Sequence, residues 1–115
     1  MDQKSPKTDG SPVTLINVFE VSSEHVDAFI ADWRHRAELM SAKPGCLGTR
    51  LHRAVSPGAR FQLVNVARWD SREAFRAAAA DPEFRQLTTA ATADPQLPVS
   101  ANPDLYRVVA EYGVA

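Results

Sequence analysis

FQLVNVARWDSREAF, residues 61 to 75, changes period in its middle. Up to Trp69 it is rich in β-branched and aromatic residues and alternates in the manner of a strand. From Asp70 onward, charged and small residues recur at helical spacing, with Phe75 and the alanines after it on the buried side. A strand therefore runs directly into a helix, and Asp70 followed by Glu73 fits a capping pattern at the junction. Alternation along the strand places Phe61, Leu63, Asn65, Ala67 and Trp69 on one face. An amide and an indole thus share a surface that is otherwise apolar.

Upstream, SPGAR at 56 to 60 reads as a turn and CLGTRLHRAV at 46 to 55 as the partner strand of a hairpin. Pro44-Gly45 closes the connection before it. Val26, Phe29, Ile30, Trp33, Ala37 and Met40 form the apolar stripe of a helix, with Ser22 and Ser23 as acceptors for its free N–H groups. VTLINVFEV, Val13 to Val21, is the first strand, and its alternation puts Leu15, Asn17, Phe19 and Val21 together. Downstream, Asp81-Pro82 interrupts the second helix and PEFRQLTTAA continues as a further helical segment, since proline suits a first turn. DPQLPVSANP at 94 to 103 reads as a loop, and LYRVVAEYGV at 105 to 114 as the last strand.

The order β-α-β-β-α-β predicts an α+β, ferredoxin-like fold with a four-stranded antiparallel sheet in the order 4-1-3-2. The first and third strands are then central neighbours. If their polar faces coincide, Asn17 meets Asn65. An amide in a strand can equally serve a bulge or a neighbouring backbone group. Two amides and an indole converging on one apolar face look instead like a small-molecule pocket with a few oriented polar groups.

A chain of 115 residues, 44% apolar and 23% charged, supports one core, so residues 13 to 115 are expected to form a single domain. Residues 1 to 12, rich in Ser, Pro, Gly and Lys, read as a disordered tail. Thirteen basic and 14 acidic residues give a net charge of -1, which excludes a field for nucleic acid or an anionic membrane. No apolar run is long enough to span a bilayer, and the single Cys46 allows no internal disulfide. A cytoplasmic protein is expected. His25 and His35 fall on the polar side of the first helix, and His52 points away from Leu47 and Leu51, toward a possible second subunit. The three make no metal site, and Cys46 is a small core residue. No flavin, nicotinamide or phosphate-loop fingerprint is present.

INVFEV, KPGCLGTRLHRA and FQLVNVARWDSREAFRA resemble the antibiotic biosynthesis monooxygenase family, small dimeric α+β barrels, over about residues 13 to 112. In the anthrone oxygenases of that family an Asn and a Trp on this strand are functional, and they match Asn65 and Trp69. Some members also use a first-strand Asn, matched by Asn17. The resemblance implies a monooxygenase that oxidises an aromatic polyketide-type anthrone, phenol or hydroquinone with O2, without a metal or a bound flavin. Asn17, Asn65 and Trp69 would then be catalytic, with Phe19, Phe61, Leu63, Trp33 and Phe75 around the substrate. A Tyr of some relatives falls at Phe75, which leaves the proton donor open. The haem-degrading branch requires an axial His and a Trp that fall here at Leu87 and Ala78, so haem is not expected. Three other readings stay open: an oxygenase fed with reduced flavin that opens angucycline rings, a non-catalytic binding or stress-related dimer, and an isomerase or cyclase that needs no oxygen. A homodimer is expected in each case, because the sheet face with Ile16, Val18, Val64, Val66, Val108 and Ala110 is too apolar for water.

Overall fold

The computed structural model describes residues 10 to 114, so residues 1 to 9 of the expected tail lie outside the described part. Four strands, β1 (Val13–Glu20), β2 (Cys46–Arg53), β3 (Leu63–Trp69) and β4 (Ser100–Tyr106), alternate with three helices, α1 (Val26–Ser41), α2 (Arg72–Ala79) and α3 (Pro82–Ala93). The strands lie in the order β2-β3-β1-β4, all pairs antiparallel, which is the ferredoxin-like arrangement.

The β1–β3 register is the feature on which the site depends. Val13 lies opposite Trp69, Leu15 opposite Ala67, Asn17 opposite Asn65 and Phe19 opposite Leu63. Cross-strand pairs share a face, so the covered side of the sheet carries three apolar rows and one polar row. The polar row divides the core. On one side Phe19, Val21, Val26, Phe29 and Leu63 form a cluster, with the Phe19 and Phe29 rings 4.7 Å apart. On the other, Val13, Ala67, Trp69 and Ala78 form a second, and Phe75 meets the Trp69 indole edge-on at 5.6 Å. Each fully buried large side chain contributes on the order of 1.5 to 3 kcal/mol, so the two clusters hold the helices to the sheet without help from the row between them.

The helix starts differ from the sequence reading. A single 3-10 turn, Ser23–His25, precedes α1, and Ser22 caps nothing through its side chain, its hydroxyl lying 2.7 Å from His25 Nδ1 instead. Ser71, not Asp70, caps α2, accepting the Ala74 N–H at 3.0 Å. A serine oxygen one residue closer to the helix reaches the third N–H, which the Asp70 carboxylate does not. Asp81 caps α3 with Pro82 in the first turn, accepting from Phe84 N–H at 3.0 Å and from Lys43 Nζ at 2.9 Å. Lys43 and that backbone N–H hold the Asp81 carboxyl below its ordinary range. The pair ties the turn before β2 to the start of α3. Gly45, in that same turn, has φ of 89°, and a Cβ there would lie 2.5 Å from Ala74 Cβ. Only glycine lets the turn meet α2 so closely.

The last strand falls earlier than expected. β4 is SANPDLY at 100 to 106, and residues 107 to 114, which include Val108 and Ala110, lie beyond it. Pro103 and the polar residues that make this stretch read as a loop are tolerated because β4 is an edge strand. Its side chains also hold it in place: Asn102 donates from its side-chain amide to the Val18 carbonyl at 2.9 Å. β3 begins at Leu63, so Phe61 belongs to the preceding loop. That loop is held by the buried Gln62, whose side-chain amide donates to the carbonyls of Pro57 and Ala59 at 3.1 and 2.6 Å.

Candidate active site

Where the polar row interrupts the core, a cavity of about 260 Å³ lies between sheet and helices. Its size is near the lower end of small-molecule sites, roughly 300 to 1,000 Å³. β1 and β3 supply its floor through Leu15, Asn17, Phe19, Asn65, Ala67 and Trp69. α1 contributes Phe29, Trp33, Arg36, Ala37 and Met40; Phe75 comes from α2, and Phe84 and Thr88 come from α3. Cys46 and Thr49 of β2 and Ala101 and Pro103 of β4 close the two edges. The wall is mostly aromatic and aliphatic. In such surroundings each polar atom has a large effect on what can bind.

The two amides and the indole among those polar atoms are set in a consistent sense. Asn65, 8% exposed, accepts a hydrogen bond on Oδ1 from the Thr49 hydroxyl at 2.8 Å. Asn17 accepts on Oδ1 from the Asn102 backbone N–H at 3.0 Å. With both amide oxygens occupied, each side-chain NH2 group is left without a partner among the described residues. The Trp69 indole N–H is buried and unpaired as well, and so is the Thr88 hydroxyl. A buried donor without an acceptor costs about 1 to 3 kcal/mol. The Trp69 N–H and the Thr88 hydroxyl carry that cost, which a ligand bearing oxygen acceptors would remove, and the two Asn NH2 groups are open to the same ligand.

Arg36 brings charge to this lining. Its side chain is 11% exposed; the guanidinium pairs with Asp32 one turn earlier on α1 and lies 5.6 Å from the centre of the Phe29 ring. No carboxylate and no imidazole lines the cavity among the described residues. Cys46 lies opposite Trp69 across the β2–β3 pair, half-buried at the cavity edge and packed against the second core cluster.

The residues expected around a substrate divide. Asn17, Asn65, Trp69, Phe19, Trp33 and Phe75 all line the cavity. Leu63 does not: it is 1% exposed and sealed into the first cluster. Phe61 does not either, because strand alternation stops before it; its ring is 37% exposed under the Arg60 guanidinium. Of the histidines, His52 is exposed and lies opposite Val64, on the uncovered face of the sheet. Ala78 packs in the second cluster and Leu87 is half-buried on α3. No group of three or more potential metal ligands exists among the described residues, and no helix there is long and apolar enough to cross a membrane.

Four of the polar lining residues, Thr49, Thr88, Thr92 and Arg36, are absent from the sequence reading. Thr49 is legible only through register: it stands opposite Ala67, diagonal to Asn65, one hairpin away. Thr88 and Arg36 depend on how α3 and α1 lie on the sheet, which hydrophobic spacing alone does not specify.

Comparison with known proteins places these features. Residues 12–90 match the family model described as antibiotic biosynthesis monooxygenase. A protein from Shewanella loihica, provisionally assigned as a monooxygenase, is 38% identical over 88% of this chain and 97% of its own, with a TM-score of 0.73. SnoaB from Streptomyces nogalater, a cofactor-independent oxygenase, is 25% identical over 90% of this chain and 99% of its own, with a TM-score of 0.75. Rv0793 from Mycobacterium tuberculosis shares the fold at 21% identity and a TM-score of 0.66, covering 88% of this chain and 98% of its own. No curated protein matches the sequence.

Proposed function

The chain belongs to the antibiotic biosynthesis monooxygenase family, and from that premise we propose that it oxidises an aromatic polyketide-type substrate, an anthrone, phenol or hydroquinone, with O2 and without a resident cofactor. The observation that carries the reading is the pair Asn17 and Asn65, which present two unpaired NH2 donors beside the unpaired Trp69 N–H in an aromatic-lined cavity. Donors fixed before the reaction stabilise negative charge as it develops on a substrate oxygen, and in a cavity largely free of water they act strongly. The similarity to SnoaB, itself cofactor-independent, supports the same chemistry.

An electron-rich substrate anion needs no metal to reduce O2. In the anthrone case the CH2 carbon loses a proton to give the enolate, which passes one electron to O2. The resulting radical and superoxide combine into a carbon-bound peroxide anion, which takes back one proton to become the hydroperoxide, and this loses water to leave C=O. One oxygen atom enters the product and the other leaves as water. In this mechanism Asn17 and Asn65 hold the enolate oxygen through their NH2 groups, Trp69 with Phe75 walls the ring system, and Trp33 and Phe19 exclude water. Thr49 acts on Asn65 alone: by donating to Oδ1 it turns the NH2 group toward the cavity.

A candidate anthrone incubated with the protein under 18O2 tests the reading. One labelled oxygen in the quinone, with O2 uptake that needs no reduced flavin, is expected. Turnover under argon would replace the reading with an isomerase, and dependence on added reduced flavin would replace it with a flavin-fed oxygenase. No turnover of any aromatic substrate despite tight binding would favour a binding protein. In this reading two copies of the chain pack through the uncovered sheet face, with Ile16, Val18, Val64 and Val66 at its centre.

A further inference from the structure

We propose that Arg36 makes this cavity selective for the ionised form of its aromatic ligand, a phenolate or enolate, so that the substrate is held as its anion before oxygen reacts. The inference rests on the aromatic-substrate reading above and adds to it the charge state that the site accepts. It comes from the sense of the polar groups. The NH2 groups of Asn17 and Asn65 and the indole N–H of Trp69 can only donate, because both amide oxygens are already taken by Thr49 and Asn102. The Thr88 hydroxyl can turn to donate too. Of the other lining hydroxyls, Thr49 donates to Asn65 Oδ1 and Thr92 to the carbonyls of Thr88 and Thr89, so these two keep only acceptor capacity, against four donor groups and a cation.

Arg36 adds a full positive charge to this arrangement, and a guanidinium keeps its charge at every physiological pH. Its counter-ion does not cancel it within the cavity. Asp32 is 43% exposed and does not line the cavity, whereas the Arg36 side chain is 11% exposed and does. Water therefore screens the carboxylate, while the Arg36 side chain is set among aromatic and aliphatic groups of low polarity. Only one guanidinium nitrogen is engaged by Asp32, which leaves N–H groups for a ligand oxygen. From the other elements packed around the cavity, β1, β3, β4, α2 and α3 present no charged or titratable side chain to it, and β2 presents only Cys46. The lining thus contains a cation but no carboxylate or imidazole base. A site of that composition favours ionisation by stabilising the product anion, not by accepting the proton.

Alizarin tests this without turnover, since its hydroxyls change the visible spectrum on ionisation and it is already fully oxidised at the central ring. The dye is titrated with pH free and in the presence of saturating protein. Binding to the wild type should favour the ionised form by about tenfold or more, moving the colour change to lower pH by at least about one unit. Arg36→Gln, which removes the charge and keeps a polar amide on a shorter side chain, should reduce the preference to under about threefold. Arg36→Lys should retain much of it, and Asp32→Asn should raise it. These two variants and the wild type decide the matter even if Arg36→Gln does not fold by near-UV circular dichroism. An unshifted colour change on the wild type, or a shift that survives in Arg36→Gln, overturns the proposal while leaving the aromatic cavity standing. Failure of the wild type to bind the dye in either form overturns the aromatic-cavity reading, and this inference with it.

Discussion

Asn17 and Asn65 face each other directly across the β1–β3 pair, and each has its amide oxygen bonded to protein while its NH2 group is not. A pair that served only the fold would be expected to bond to itself or to saturate both ends. Here Thr49 and Asn102 engage the acceptor ends alone. The consequence is a polar row whose orientation is set by the protein and whose donors are left for a guest.

Asn65→Ala should therefore lower oxygenation far more than it lowers stability. Removing one preorganised donor to a developing oxyanion costs roughly 2 to 4 kcal/mol, or about two to three decades in kcat. The melting temperature should fall by only a few degrees, because the one bond lost within the protein is that from the Thr49 hydroxyl to Oδ1, worth about 0.5 to 1.5 kcal/mol. Trp69→Phe keeps most of the wall and deletes the indole N–H, so it separates packing from donation. A large drop in Tm with unchanged turnover per folded molecule would make Asn65 a structural amide.

Thr49→Val removes the hydroxyl that fixes the Asn65 amide and preserves its shape. Turnover should fall by about tenfold through a misoriented NH2 group, with KM largely unchanged. In an Asn65→Ala background the same substitution should have almost no further effect on kcat. An independent, additive loss in the double mutant would show that Thr49 acts on something other than Asn65.

Acid should weaken the protein partly through Asp81. Lys43 and the Phe84 N–H depress its carboxyl in the folded state, so its contribution is fully present above the unfolded carboxylate range and is lost as pH falls through the lower, folded value. The loss begins below about pH 4. Urea unfolding across this range should show a shallower acid limb for Lys43→Met than for the wild type. Identical limbs would place the acid sensitivity elsewhere.

Gly45→Ala should be among the more damaging single-methyl additions available. The residue sits at φ of 89° and the new Cβ would fall 2.5 Å from Ala74 Cβ. Backbone strain together with overpacking amounts to about 2 to 4 kcal/mol, on the order of 10 °C in Tm. Gly58→Ala, with no atom near its virtual Cβ, is the control that should be tolerated.

Light scattering should return a dimer. Ile16, Val18, Val64 and Val66 form the centre of the uncovered face, with Arg50 and His52 toward one edge and Asp104 toward the other. Val66→Asp should yield a monomer if this face is the contact. A wild type that is monomeric at micromolar concentration would show that the face remains in water.

The inner face of the sheet was readable because strand alternation has a period that tolerates no drift: once Val13 and Trp69 are placed, Asn17 and Asn65 follow. β4 was not readable, since Ser100, Asn102, Pro103 and Asp104 carry no strand preference and the pairing comes from β1. The more β-prone run after Tyr106 drew the expectation the other way. Phe61 shows the limit of alternation itself, which assigns a face only where the chain is paired. Arg36 lies on α1, whose rotation is fixed by packing of Phe29 and Trp33 against Phe19 and Leu63, and Thr88 on α3, which rests on α1 and α2, contacts that exist only after folding.

Cys46 gives the cavity a single chemical address. It is the chain's only thiol and stands at the cavity wall opposite Trp69. A small alkylating reagent that reaches it leaves one adduct of known mass per chain, so the rate of that mass change measures access to the interior without any substrate. The same position exposes the protein to peroxide escaping from an interrupted reaction. Oxidation of that sulfur to a sulfenic acid would set an extra oxygen beside the indole, inside a space already furnished with donors to receive it.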